Sequence, residues 1–217
     1  MVTSPTVDAS DYDLVEDAPE ATPKHGTSVQ SGWGAAESTL KRKSDGDYPN
    51  DFRFSEEHQL VRFLDDAPFA VYQQHWIERE GKKSFVCLGD DCPLCITAGD
   101  KPRGKFAFNV LVVSEETPSV QILTAPPTFA RQLRAANDDE RRGPLTKFYW
   151  SISREGVGPQ TTYTLERVRA TDLAEEWGMD AEPIEQMVTS AVKYDESSVF
   201  VTPREELLTI ARSLVSN

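Results

Sequence analysis

Hydrophobic and polar positions divide this chain at about residue 50. Before that point Ser, Thr, Asp, Pro and Gly dominate, and neither the strand period nor the helix period persists. Such a stretch buries too little apolar surface to offset its ordering entropy, so residues 1–50 are expected to be largely disordered. Two islands interrupt them, Gly32-Trp33-Gly34 and Leu40-Lys41-Arg42-Lys43-Ser44. Beyond Asp51, short runs rich in aromatic and β-branched residues stand between turn signals, which is the pattern of strands. They are Phe52–Phe54, Leu60–Leu64 (broken by Arg62), Ala70–Glu78, Ser84–Leu88 after Gly81, Lys105–Ser114 and Ser119–Ala125. Leu145–Ser153 and Thr161–Arg169 read as a hairpin about Gly156-Val157-Gly158-Pro159.

Helices are fewer. Pro127–Ala136 has Pro near its start and apolar residues at Phe129, Leu133 and Ala136. Thr171 is expected to cap Asp172–Trp177, which Gly178 stops. Pro183–Val192 is a further helix. Thr202 is expected to cap Pro203–Leu214, with Glu205 and Glu206 in the first turn. No internal repeat is visible. The expected class is mainly β with α additions, a small barrel or sandwich with helices at its C-terminal end. Three regions follow: a leader over 1–50, a β-rich core over 51–170 and an acidic helical segment over 171–217.

Composition sharpens this division. Hydrophobic residues make up 38% of the 217, below the globular average, as expected if part of the chain is not packed. The net charge is -13, which taken whole argues against a nucleic-acid binder. The charge is uneven, however. Residues 1–50 carry 4 basic and 9 acidic groups, residues 51–170 carry 16 and 17, and residues 171–217 carry 3 and 10. The middle is nearly neutral and rich in Arg and Lys. That is compatible with a binding core between acidic flanks, but charge alone favours ordinary solubilising charge. No apolar run approaches the roughly 18 to 20 residues that span a bilayer. The N-terminus lacks a basic start followed by an apolar stretch, so no signal peptide and a cytoplasmic location are expected.

The three cysteines lie within nine residues, Cys87-Leu-Gly-Asp-Asp-Cys92-Pro-Leu-Cys95. Two residues between Cys92 and Cys95 let both sulfurs face one point, as in a metal knuckle. An odd count in a cytosolic chain argues against a disulfide framework. Three sulfurs leave one position of a tetrahedral zinc. Of the three histidines, His25 lies in the leader and His58 in an acidic turn. His75 lies in a strand that turns at Gly81 into the strand bearing Cys87, so a hairpin would bring the two together. The expected site is one structural Zn2+ on His75, Cys87, Cys92 and Cys95, closed to water. A reduced redox pair and buried free thiols are the competing readings. A redox pair belongs at the start of a helix, for which Pro93 and the Gly99-Asp100 turn leave little room. Asp90 and Asp91 are alternative ligands, though they flank the knuckle.

Aromatic and basic residues coincide three times. Tyr72, Trp76 and Arg79 share a region with Lys82 and Lys83; Lys101, Arg103 and Lys105 precede Phe106 and Phe108; Lys147 precedes Phe148, Tyr149 and Trp150, with Arg154 beyond. Single strands are bound by cations along a groove and by flat rings on which bases stack. Each ring on its own is better explained as core.

These residues resemble a known family. The order His75, Cys87, Cys92, Cys95, ending in a CxxC knuckle, resembles the zinc site of the T-even phage single-stranded DNA-binding protein. The run from Leu60 to Val113 is similar to related proteins of actinobacterial tailed phages, and the resemblance extends over roughly Gly32 to the C-terminus. It implies an OB-fold with an inserted zinc subdomain, a basic cleft with stacking rings, and a role in DNA replication, recombination and repair. The DNA contacts it implies here are Arg62, Tyr72, Trp76, Arg79, Lys82, Lys83, Arg103, Lys105, Phe108, Lys147, Tyr149 and Arg154. Lys41-Arg42-Lys43-Ser44 is similar to the family's basic stretch for self-association along DNA. Three features depart from the family pattern. The Cys87–Cys92 loop is shorter, the basic stretch follows an acidic leader, and the acidic residues sit at Asp172–Glu206 rather than at the very end.

The expectation is therefore a non-enzymatic single-stranded DNA-binding protein, with replication or recombination proteins as further partners and no membrane. The alternative is a zinc-stabilised protein-interaction or transcription accessory module. A metal-dependent nuclease lacks a catalytic constellation, because the sulfur-rich ligand set leaves no open position.

Overall fold

A strand buried on both faces reads as an unbroken apolar run. β1 (Gln59–Phe63) is buried on both faces although Arg62 interrupts its run: Val61 and Phe63 enter one core and Leu60 another. The computed structural model describes residues 49–216, which fall in the unit Gly46–Asn217. The Gly32–Gly34 island and the Lys41–Ser44 stretch lie outside the described residues.

One sheet of seven antiparallel strands forms the frame. Besides β1 it contains β2 (Ala70–Trp76), β3 (Ser84–Val86), β4 (Arg103–Val112), β5 (Ser119–Ala125), β6 (Tyr149–Glu155) and β7 (Thr162–Val168). The order is β3-β2-β4-β1-β6-β7, with β5 joined to β4. β4 is the hub. Val110–Val112 pair with β1 and Arg103–Ala107 with β2, while Phe106–Val112 pair with β5 on the other edge. β1 and β2 thus lie in series along one edge of β4. The Leu64 amide donates to Asn109 O (3.0 Å) and the Phe69 amide to Ala107 O (2.9 Å), so Asp65–Pro68 loops out between them. The mainly β class with α additions holds. The sheet is not closed into a barrel, because among the described strands β5 pairs only with β4 and β7 only with β6.

Five helices accompany the sheet: α1 (Pro93–Ile96), α2 (Pro127–Asp138), α3 (Ala170–Glu176), α4 (Ala181–Ser190) and α5 (Arg204–Val215). Alternation along β4 sorts them. Phe108, Val110 and Val112 face a core sealed by Phe129, Leu133 and Ala136 of α2. Leu111 and the following Val113 face a second core, sealed by Leu173 of α3 and Ile184 of α4. A third cluster joins α1 to α5. No helix among the described residues is long and apolar enough to cross a membrane.

Several element boundaries differ from the sequence pattern. Phe52–Phe54 is not a strand; only Asp51 bridges to Ile122, and the two rings pack edge-to-face at 5.1 Å. Leu145–Lys147 forms a 3-10 turn after Pro144, and β6 begins at Tyr149, anchored by the Trp150 indole donating to Leu145 O (2.9 Å). Pro93 does not prevent a helix. Its fixed φ suits a first helical position, and a single turn forms there. Thr202 caps nothing, since it is buried and accepts from Lys82 Nζ. Thr171 lies inside α3, where Asp172 accepts from the Arg169 amide instead.

Candidate metal centre and the face beside it

β2 and β3 form the hairpin expected from the sequence, with His75 opposite Phe85 and Gln74 opposite Val86. The Cys87 amide continues this ladder by donating to Gln73 O (2.8 Å), which places Cys87 on the His75 side. The chain then turns at Gly89, whose φ of 81° is in the left-handed region that favours glycine. Its carbonyl accepts from the Cys92 amide (3.1 Å). α1 carries Cys95, and Gly99 (φ 68°) lets the chain fold back so that the Asp100 amide reaches Leu94 O (3.0 Å).

The result is convergence. One ligand atom from each of His75, Cys87, Cys92 and Cys95 lies within 4.8 Å of all the others, and the group could hold a metal ion. Zinc bonds of about 2.3 Å to sulfur and 2.0–2.1 Å to nitrogen give a tetrahedron S···S edges of about 3.8 Å and S···N edges of about 3.6 Å. Here Cys87 and Cys95 sulfurs are 3.6 Å apart, and His75 Nε2 is 3.4 Å from Cys92 Sγ and 3.5 Å from Cys95 Sγ. The donor set therefore fits such an ion and fills its four positions. His75 is fully buried, and its Nδ1 lies 2.6 Å from Asp100 Oδ2. A carboxylate on the far nitrogen fixes the tautomer and leaves Nε2 free to ligate.

Electrostatics point the same way. Burial pushes the Cys92 thiol up, but amides of Leu88, Cys95 and Leu94 together outweigh it and bring it to about 7. Burial, then the adjacent Cys87 and Cys92, push the Cys95 thiol up to about 12. Three sulfurs this close cannot all ionise unless a cation sits among them.

Beside this centre lies an open face. Tyr72 is opposite Lys105 and Gln74 opposite Arg103, and Trp76 follows on the same side of β2. Trp76 is 65% exposed, Arg103 is exposed, and Tyr72 and Lys105 are half-buried. Burial, then the neighbouring Arg103, hold the Lys105 ammonium below the usual lysine range. Burial pushes the Tyr72 hydroxyl up, partly offset by its bond to Thr124.

The remaining candidates are placed elsewhere. Arg62, Phe108 and Tyr149 are buried. The Arg62 guanidinium donates to Thr146 O, Phe148 O and Glu185, and stands 5.2 Å over the Tyr149 ring. The Tyr149 hydroxyl donates to Glu185 Oε1 (2.7 Å), and burial with that carboxylate raises its pKa. Phe108 meets Phe63 edge-to-face in the core. Near the β2–β3 turn, Lys82 is bonded to Thr202, Lys83 is paired with Glu78, and Arg79 stands 5.9 Å over Phe85. Lys147 lies against Phe148, and Arg154 sits opposite Tyr163 near the end of β6, with β4 and β1 between it and β2 in the strand order. Asp100 escaped the sequence reading; the one signal was an acid five residues past the last cysteine.

Comparison with protein-family models, with curated proteins and with solved structures finds no match.

Proposed function

We propose that this chain is a non-enzymatic, single-stranded DNA-binding protein carrying one structural zinc, acting in phage DNA replication, recombination and repair. The observation that carries the reading is the junction of two features on one strand. β2 carries a metal ligand, His75, as its penultimate residue and presents Tyr72 and Trp76 on its opposite side beside Arg103 and Lys105 of β4. Four residues of strand put the two rings about 13 Å apart, with the cations alongside. Rings supply sequence-tolerant stacking and cations follow phosphates.

Strand order supports an OB-like reading. β1 and β2, taken as one interrupted strand, pair with β4, β4 with β5, and β1 with β6, which pairs with β7. α2 lies between β5 and β6, as the helix of an OB barrel lies between its third and fourth strands. The metal loop is inserted between the first two strands of that scheme. Zinc is the natural occupant of a closed cage of three thiolates and an imidazole, and no position remains for a catalytic water.

Fluorescence titration of Trp76 with oligonucleotides tests the proposal. Preferential binding of single over double strands is expected, weakening steeply with salt as counterions are released. Salt-independent binding, or equal affinity for duplex, would overturn it. A second reading, a protein-interaction module, draws on one observation. From Ala170 to Val192 the chain has six acidic residues and no basic one, with Glu175, Glu176, Asp180 and Glu182 exposed. A basic protein partner would be its ligand, and intact partner binding without DNA affinity would favour it.

A further inference from the structure

The metal cage and the C-terminal helix share a small core of their own. Leu94 sits between Cys92 and Cys95 in sequence and is fully buried, clustered with Leu207, Ile210 and Ala211 of α5. Cys92, Phe85 and Ile77 complete the cluster, and none of these α5 residues belongs to either core of the sheet. The polar tethers run to the same place. Arg204 Nε is 3.8 Å from Asp91 Oδ2. Lys82 Nζ donates to Thr202 Oγ1 (2.9 Å) and stands 4.3 Å over the Phe200 ring. α1, which presents Leu94, has four residues, and α5 has twelve. Helices of these lengths are marginal by themselves in water, so each depends on what holds it.

We infer that the cage fastens the C-terminal helix: with an ion on His75, Cys87, Cys92 and Cys95, α5 is docked, and release of the ion sets it free. This rests on the reading of the cage as a metal site. The ion fixes Cys92 and Cys95, these fix the turn of α1, and that turn holds Leu94 in the cluster with Leu207, Ile210 and Ala211. Without the ion, nothing bonds the three sulfurs and the imidazole to one point, and the seat for α5 is lost. The sheet cores, which share no side chain with this cluster, stay folded. Release thus exposes the apolar side of α5 and its seat together while leaving the face bearing Tyr72 and Lys105 in place. Coupling of this kind is reciprocal, so whatever undocks α5 weakens the ion's hold by the same factor.

Amide hydrogen exchange on the full chain tests it, with zinc and with a chelator, and with metal content measured on both samples. The expected result is one ion per chain, and on chelation exchange at least about tenfold faster in Arg204–Val215 with Tyr149–Glu155 unchanged. A bound ion whose removal leaves α5 exchange unaltered overturns the inference while the metal site stands. Exchange that rises equally in β6 also overturns it, since the helix then has no separate response. A chain that binds no ion defeats the metal reading and the inference with it. The second arm is Ile210→Asp, which attacks the docking from the helix side. Zinc affinity is expected to fall about tenfold with the main thermal transition preserved, and an unchanged affinity overturns the inference.

Discussion

His75 stands between unlike neighbours: its Nδ1 is 2.6 Å from Asp100 Oδ2, and its Nε2 is 3.4 Å from the Cys92 sulfur. A carboxylate so placed orients the ring and raises its basicity as a ligand. Loss of such a partner typically costs about 10–100-fold in metal affinity. Asp100→Ala should show a loss of this size in competition with a chromophoric chelator, and Asp100→Asn a smaller one. An unchanged affinity would show that the carboxylate has no part in the site.

Ligand thiols must give up their protons to bind an ion. Cys92, at about 7, takes up its proton as pH falls through neutrality. Cys95, at about 12, keeps its proton at neutral pH until an ion displaces it. Apparent zinc affinity should therefore fall from about pH 8 to about pH 6, by roughly tenfold or more per unit at the lower end. Zinc added at neutral pH should release protons, which calorimetry in buffers of different ionisation enthalpy will count. A flat profile would contradict thiolate ligation.

Trp76 and Tyr72 are the two rings of the proposed DNA face. Replacing either by Ala should cost about 1–3 kcal/mol of single-strand affinity with metal content unchanged. Lys105→Ala should instead weaken all sequences alike and lower the slope of log K against log salt by about one. If both kinds of variant bind as the parent does, the DNA lies on another surface.

Arg62 gives a contrasting case. Its guanidinium is enclosed by Thr146 O, Phe148 O and Glu185, and Glu185 also receives the Tyr149 hydroxyl. Glu185→Ala removes one partner from a buried cation and should cost about 1–3 kcal/mol of stability in a denaturant titration. Single-strand affinity should stay the same, because this network joins β1, β6 and α4 and includes no residue of β2 or of the Arg103–Lys105 stretch.

The metal cluster was legible because few side chains ligate a soft ion, and a short turn between strands leaves little freedom of register. The strands were legible for the same local reason, since period and turn residues act within a few positions. Burial was not. Alternation says that Tyr149 and Trp150 face opposite ways, but not that Ile184, some thirty-five residues later, covers the Tyr149 side. Phe108 and Trp76 look alike in sequence, yet one lies under α2 and the other is mostly exposed. Asp100 and Thr202 escaped for a related reason: each has a partner that no local pattern identifies, His75 for one and Lys82 for the other.

Between Arg103 and Phe108, β4 alternates its faces, with Phe106 and Phe108 turned to the core and Arg103 and Lys105 to the other side, before it becomes buried on both faces. Adding or deleting one residue between Arg103 and Phe108 would set the two ends of this stretch out of phase, driving cations inward or benzyl groups outward. This strand therefore acts as a ruler whose length is not free to drift during evolution. Length variation among natural variants should accumulate in the excursion Asp65–Pro68, which lies off the ladder and can grow without moving a single rung.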